Sequence, residues 1–201
     1  VKQLMFYAKA RKYNNTLEAA VDANNVSPEI YKNLIDTVNN NLDKFHRYVA
    51  LRKKCLGLSE LHMYDAYTPM IADVAKEVSF DEAKATILKA LAPLGDDYLE
   101  ILKEGFSNRW IDVYENAGKT SGAYSAGAYG THPYVLMNYN NSLDEMFTLA
   151  HEMGHSIHTW YSNKNQSYTY SGYKIFVAEV ASTCNEALLI RHLLKNSKDK
   201  Q

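Results

Sequence analysis

His151, Glu152 and His155 fall within one pentapeptide, His151-Glu152-Met153-Gly154-His155, and their types and spacing suit one kind of chemistry. Residues four apart on an α-helix share a face and lie about one turn from each other, so two imidazoles at this spacing can reach a single ion. A glutamate directly after the first histidine projects beside that ion, where its carboxylate can take a proton from a water that the metal acidifies. The pattern points to hydrolysis by metal-activated water, with His151 and His155 as ligands and Glu152 as general base.

A catalytic zinc site takes three protein ligands and keeps a position for water. A third donor is therefore needed. His158 follows His155 by three residues, but the longer HExxHxxGxxH pattern is not met, because position 158 is His instead of Gly and position 161 is Tyr instead of His. One straight helix presents two ligands well and three poorly, which leaves His158 to packing or to a place behind the ligands. Glu179, flanked by Phe176, Val177, Val180 and Ala181, is the cleaner candidate, since a carboxylate in apolar surroundings is costly unless paired or metal-bound. Glu186 lies seven residues on, on the same helical face, and could accept a hydrogen bond from the free nitrogen of a ligand histidine. A solvated Glu186 is the alternative, and Asp144 competes for the same role.

Two helices must position these groups. Ser142 and Glu145 fit a capping box that opens the first, and Met146, Ala150, Met153, Ile157 and Trp160 recur at steps of three and four, as a buried stripe beside the histidines. Gly154 costs about 1 kcal/mol of helix propensity relative to Ala; a close approach by another backbone would account for it, and so would a packing accident. The second helix is expected from Ile175 to about Leu194, and antiparallel packing on the first would carry Glu179 to the histidines.

The stretch before the first helix, residues 110–141, holds four of the nine glycines and two expected strands, Gly122–Ala126 and Tyr134–Tyr139, with Pro133 at the entry of the second. An edge strand beside a metal helix can bind an extended peptide through main-chain hydrogen bonds. A purely structural hairpin is the alternative. Everything earlier reads as helix: residues 3–24 with a break at Asn14-Asn15-Thr16, then one helix from Ser27-Pro28 to about Leu56, with Ile30, Leu34, Val38, Leu42, Phe45 and Val49 on one face and Gly57 as its stop. A connector, Leu58–Pro69, contains His62 and Asp65, which could reach a site. Ser79 caps a further helix, Pro93-Leu94-Gly95 makes a turn, and Asp96 to about Ser107 is helical again. The expected fold is mainly α, with a small Gly-rich β-hairpin or sheet before the HExxH helix. Residues 1–109 form a helical scaffold portion and 110–201 the metal-binding catalytic portion.

Composition sets the wider limits. The chain has 201 residues, a formal net charge of −1 and a hydrophobic content of 46%, which gives no electrostatic case for nucleic acid or an anionic membrane surface. Sixteen tyrosines against six phenylalanines suit a wet cleft lining, although buried tyrosines with a satisfied hydroxyl are the commoner use. Cys55 and Cys184 are far apart in helical patterns, so a reduced, cytoplasmic location is expected. The first residues do not read as a signal peptide or membrane anchor, and both ends read as cut points within something larger. Oligomeric state is not fixed by any of these features.

His151–His158 (HEMGHSIH), the preceding GAYS and HPYVLMNYNNS and the following FVAEVASTCNE resemble the oligoendopeptidase F family, relatives of thimet oligopeptidase. The resemblance covers essentially the whole chain but only the middle of such an enzyme. It implies a mainly helical, zincin-type catalytic region around a deep channel that admits short unfolded peptides. It implies one zinc ion held by His151, His155 and Glu179, with Glu152 as general base. Tyr129, His132 and Tyr134, in the strand region, become candidate substrate contacts; Asp144, His158 and Glu186 become candidates for positions behind the ligands. Family members draw further histidine and tyrosine groups, which stabilise the oxyanion, from a region C-terminal to the zinc helices. Tyr168, Tyr170 and Tyr173 do not replace them, so residues 1–201 are expected to be incomplete as a catalyst. Loss of one oxyanion donor costs about 2.7–4 kcal/mol.

Overall fold

A computed structural model of the chain describes residues 1–70 and 77–197, in two compact units, Val1–Val74 and Ala75–Gln201. The change in composition at 109/110 marks the passage from helices to sheet and falls inside the second unit. Among the described residues no helix is long and apolar enough to cross a membrane.

The first unit is a run of helices: α1 (Lys2–Ala10), α2 (Thr16–Asp22), α3 (Pro28–Asn39) and α4 (Leu42–Cys55), followed by a 3₁₀ turn at Met63–Tyr67. The break between α1 and α2 arises where expected, with the Asn15 side chain accepting the Glu18 amide as N-cap. Ser27 likewise caps α3, with Pro28 in its first turn. The single helix expected from 28 to 56 does not form. It stops at Asn39 and restarts at Leu42, because the Asn39-Asn40-Asn41 run offers local side-chain bonds that compete with helix; Asn41 donates to the Thr37 carbonyl at 2.7 Å. The apolar positions Ile30, Leu34, Val38 and Phe45 are solvent-exposed. After α4, Gly57 adopts φ 66°, and the Gly57 and Leu58 amides bond back to Lys54 and Lys53 carbonyls, a Schellman closure that needs the left-handed conformation. His62 and Asp65 serve this turn locally, the Asp65 carboxylate accepting the His62 amide at 2.8 Å. Arg52 is buried and donates to the Asp65 and Thr68 carbonyls.

The second unit contains α5 (Phe80–Ala90), a short 3₁₀ turn, α6 (Asp96–Ser107), strands β1 (Ile111–Asp112), β2 (Tyr124–Ala126) and β3 (Tyr134–Leu136), then the long helices α7 (Leu143–Asn165) and α8 (Ile175–Asn196). It is mainly α with a small sheet, as the sequence implied. The sheet has order β1-β3-β2; β3 is central, antiparallel to β2 and parallel to β1. β1 was not foreseen, since a pair of residues carries no readable period. The pairing on its side continues past the strand: Val135, Met137 and Tyr139 amides donate to Trp110, Asp112 and Val113 carbonyls at 2.7–2.9 Å. Those same three side chains are buried, the alternation of a half-buried strand.

The core of this unit gathers Ile87 from α5 and Leu91 from its C-cap, Leu102 from α6, Trp110, Val135 and Met137 from the sheet region, and Met146, Leu149, Met153 and Ile157 from α7. α7 is thus held on its apolar stripe by nearly every other element. Of the expected stripe, only Trp160 is partly exposed; it carries Lys164 over its ring at 4.4 Å. The capping box at the start of α7 is half formed. Ser142 accepts the Glu145 amide at 3.2 Å, while Glu145 Oε2 is buried without a partner.

Candidate metal centre

α7 and α8 pack antiparallel, and their contacts run in order along both helices. The buried Asn185 side chain donates to the Ala150 carbonyl at 2.9 Å. One turn on, Gly154 meets α8 backbone to backbone: a Cβ at this position would lie 2.7 Å from Ser182 Cα and 2.9 Å from the Ala181 carbonyl oxygen. The glycine suspected of admitting a close neighbour does so.

This approach brings the three expected ligands together. His151 Nε2 and His155 Nε2 are 3.1 Å apart, and each lies 3.5 Å from Glu179 Oε2. Donors bound about 2.0–2.1 Å from a tetrahedral ion stand about 3.3–3.4 Å from one another, so the three atoms already have the spacing a small divalent ion requires. Among the described residues this trio forms a cluster with metal-ligand potential. The rings of His151 and His155 meet edge to face, with centroids 4.7 Å apart.

Each imidazole is oriented from behind. His151 Nδ1 pairs with Glu186 Oε1 at 2.5 Å, which answers the choice left open in the sequence: Glu186 takes this nitrogen, while Asp144 sits exposed in the first turn of α7. A ring nitrogen of His155 donates to the Ala178 carbonyl. Burial, and then the neighbouring His151, lower the His155 pKa, which favours the neutral ring a metal needs. Glu179 comes to the site for a reason other than the one inferred from its neighbours. Phe176, Val177 and Val180 are exposed, and the Glu179 side chain is 51% exposed, so no apolar pocket confines it. Its Oε2 instead accepts from Ser182 Oγ at 2.9 Å.

Glu152 is buried. Desolvation raises its pKa; the charge of Glu179 acts in the same direction, while His151 and a hydrogen bond from the Ser125 backbone lower it. The carboxylate therefore lies close to His151 and Glu179 and against β2. That strand is seated on α7 by the Ser125 and Ser156 hydroxyls, 2.8 Å apart, and by Gly127, where a Cβ would lie 2.7 Å from Thr159 Cγ2. Neither Ser125 nor Ser182 was singled out from sequence. Ser182 was findable, three residues after Glu179 on the same helical face; Ser125 carries no local signal.

Of the remaining candidates, His158 stacks on Tyr173 with centroids 3.8 Å apart, its Nδ1 is buried without a partner, and burial, followed by the neighbouring His155, lowers its pKa. Tyr129 donates to the Gln166 carbonyl at 3.0 Å. His132 lies between the Trp110 and Tyr134 rings, with Nδ1 2.7 Å from the Pro133 carbonyl oxygen. Tyr134 begins β3 and lines, with Tyr124 and Arg109, a recess of about 450 Å³ beside the sheet. The hydrogen bonds and ring contacts of these three residues do not reach His151, His155 or Glu179. Cys55 and Cys184 are exposed free thiols.

The chain is similar in sequence to proteins named as oligopeptidases. The chain is 55% identical over its full length to the oligopeptidase PepF of Bacillus subtilis, of which it spans 30%. It is 46% identical to an oligoendopeptidase F homolog of Borreliella burgdorferi over 98% of the chain and 34% of that protein. A crystal structure described as that of a "putative peptidase from Chlamydophila abortus" superposes with a TM-score of 0.82 at 44% identity, covering 99% of the chain and 33% of that protein. The chain spans about a third of the length of these relatives. The model of peptidase family M3 matches residues 1–201 throughout, and the chain belongs to that family.

Proposed function

We propose that residues 1–201 carry the zinc-binding and catalytic portion of a longer metallopeptidase that hydrolyses short, unfolded peptides. The observation that supports this most is the convergence of His151 Nε2, His155 Nε2 and Glu179 Oε2 at 3.1–3.5 Å, with a buried glutamate, Glu152, beside them. Two nitrogens and one carboxylate oxygen are a donor set that zinc accepts in catalytic sites. When bound, one zinc ion supplies Lewis acidity, acidifying a water and polarising the scissile carbonyl.

The chain's own groups do the rest. Glu152 takes the proton of the attacking water and passes it to the leaving amine. Its burial makes it a stronger base than a solvated carboxylate, while the Ser125 backbone contact fixes its direction. Glu186 holds the His151 ring from its Nδ1 side, with Nε2 turned toward Glu179, where it would serve as a ligand. β2 lies at the edge of the sheet beside α7 and offers main-chain groups to an extended peptide, a mode of binding indifferent to side-chain identity. Tyr129, His132 and Tyr134 enter this reading only as lining of the strand region.

The test joins metal analysis to turnover. The full-length peptidase purified without added zinc should contain about one equivalent, and Glu152→Gln should retain the metal while losing cleavage of a quenched fluorescent peptide. Metal-free wild-type protein that gains no activity from zinc would remove the metal centre. An active Glu152→Gln enzyme would remove the general-base assignment alone.

A further inference from the structure

Glu179 poses a problem that its two partner ligands do not. His151 and His155 are held by the core stripe of α7 and by hydrogen bonds on their far sides. The Glu179 side chain has three rotatable torsions, is half-exposed, and stands among exposed Phe176, Val177 and Val180. Left to itself it would sample several rotamers in water. Yet Oε2 stands equidistant, at 3.5 Å, from both imidazole nitrogens.

We propose that Ser182 is the positioning residue of the metal centre, its hydroxyl holding the Glu179 carboxylate with Oε2 turned toward the two histidines. Ser182 Oγ lies 2.9 Å from that oxygen and 3.1 Å from the Glu179 backbone carbonyl. The hydroxyl has one proton to give, and a bond to an ionised carboxylate is roughly twice as strong as one to a neutral carbonyl, so the proton goes to Oε2. A carboxylate oxygen has two lone pairs; Ser182 takes one and leaves the other directed at the ion. Ser182 can do this because it cannot move. It is completely buried, pressed against the glycine gap at Gly154, so its position is set by the packing of α8 on α7. The gap, the serine and the carboxylate form a continuous path from the helix interface to the third ligand. Glu179 thereby gains its fixed direction from a neighbour one turn on, in place of an enclosing pocket.

This inference rests on the metal-centre reading, and the experiment separates the two. Zinc affinity is measured by chelator competition, and the ligand field by the visible spectrum of the cobalt(II)-substituted protein, for wild type, Ser182→Ala, Glu179→Ala and the double variant. Loss of an oriented partner behind a ligand typically weakens metal binding 10–100-fold. Ser182→Ala should show a loss of that size, with a changed cobalt spectrum and metal-free thermal unfolding like that of wild type. Glu179→Ala should lose more, and the double variant should be no weaker than Glu179→Ala, because a residue acting through Glu179 has nothing left to act on. Wild-type affinity and spectrum in Ser182→Ala, alongside a large loss in Glu179→Ala, would overturn the role of Ser182 and leave the metal centre standing. An equal further loss on adding Ser182→Ala to Glu179→Ala would make its effect a structural one and overturn the proposal as well. A wild-type protein that binds neither metal would end both.

Discussion

Replacing Gly154 by alanine sets two effects of known size against each other. In an isolated helix the change is favourable, by about 1 kcal/mol of propensity. In this protein the added Cβ would lie 2.7 Å from Ser182 Cα, 2.9 Å from the Ala181 carbonyl oxygen and 3.0 Å from the Ser182 nitrogen. All three are backbone atoms, so no side chain can swing aside, and reaching ordinary contact at 3.4 Å requires α8 to retreat by about 0.7 Å. Overpacking of this kind costs about 1–3 kcal/mol. The rigid partner places the cost in the upper part of that range, for a net destabilisation of about 1–2 kcal/mol after the propensity gain. The metal centre should suffer more than the fold. His151 and His155 ride on α7 and Glu179 rides on α8, so a retreat of about 0.7 Å exceeds the tolerance of about 0.2 Å on metal–ligand distances. Urea unfolding of the metal-free protein gives the first quantity, and chelator competition for zinc gives the second, expected to fall by more than tenfold. A Gly154→Ala protein about 1 kcal/mol more stable than wild type, with unchanged zinc affinity, would refute the view that this gap sets the geometry of the site.

Two further outcomes follow from the buried polar groups around α8. Asn185→Ala removes the acceptor of the Tyr98 hydroxyl at 3.0 Å and the donor to the Ala150 carbonyl at 2.9 Å; it should cost about 1–3 kcal/mol, read as a lower urea midpoint at unchanged slope, and an unmoved midpoint would deny these bonds a share in stability. Burial pushes the Tyr98 pKa up to about 12. The folded state therefore holds a proton that the unfolded chain releases near pH 10, so stability is complete below pH 10 and declines as pH rises toward 12. The loss from Tyr98 is about 2–3 kcal/mol, and denaturant midpoints between pH 9 and 12 should fall less in Tyr98→Phe than in wild type; identical pH slopes would contradict the assignment.

The sequence made the site legible where chemistry and period coincide. His151, Glu152 and His155 announce themselves by type and spacing on a helix whose cap and stripe are equally plain, and α7 starts one residue after its expected N-cap. Glu179 stands out in the sequence for its apolar neighbours, and it does converge on the two histidines, though not for that reason. Its apolar neighbours Val177 and Val180 are exposed in space, because a helix turns residues one and two positions away onto other faces. What could not be read were the contacts that cross between elements: the Ser125 backbone at Glu152, the two-residue strand β1, and the interruption at Asn40-Asn41 in an otherwise continuous apolar pattern. Periodicity predicted a single helix from 28 to 56 because it registers side-chain spacing and not the local hydrogen bonds that asparagine offers the backbone. Of the expected substrate contacts, Tyr129 bonds the Gln166 carbonyl, and His132 packs on the Trp110 and Tyr134 rings with Nδ1 at the Pro133 carbonyl.

On the proposed reading, the packing of α7 and α8 accounts for an exposed third ligand. α7 divides its circumference between Met146, Leu149, Met153 and Ile157, which are core, and His151 and His155, which converge on Glu179, with Glu152 beside them. Its position is therefore fixed by the whole hydrophobic cluster and owes little to the metal. α8 buries far less: among its described residues only Ser182, Asn185 and Leu189 are fully enclosed, while Ile175, Phe176, Val177 and Val180 face outward. Its register against α7 then depends on a few specific contacts, the Asn185 bond to Ala150, the Gly154 gap and the Glu186 bond to His151. Each of these lies within a turn of a ligand. The contacts that dock the helix are therefore the contacts that aim its carboxylate, and a substitution at any of them should register in metal affinity before it registers in the fold.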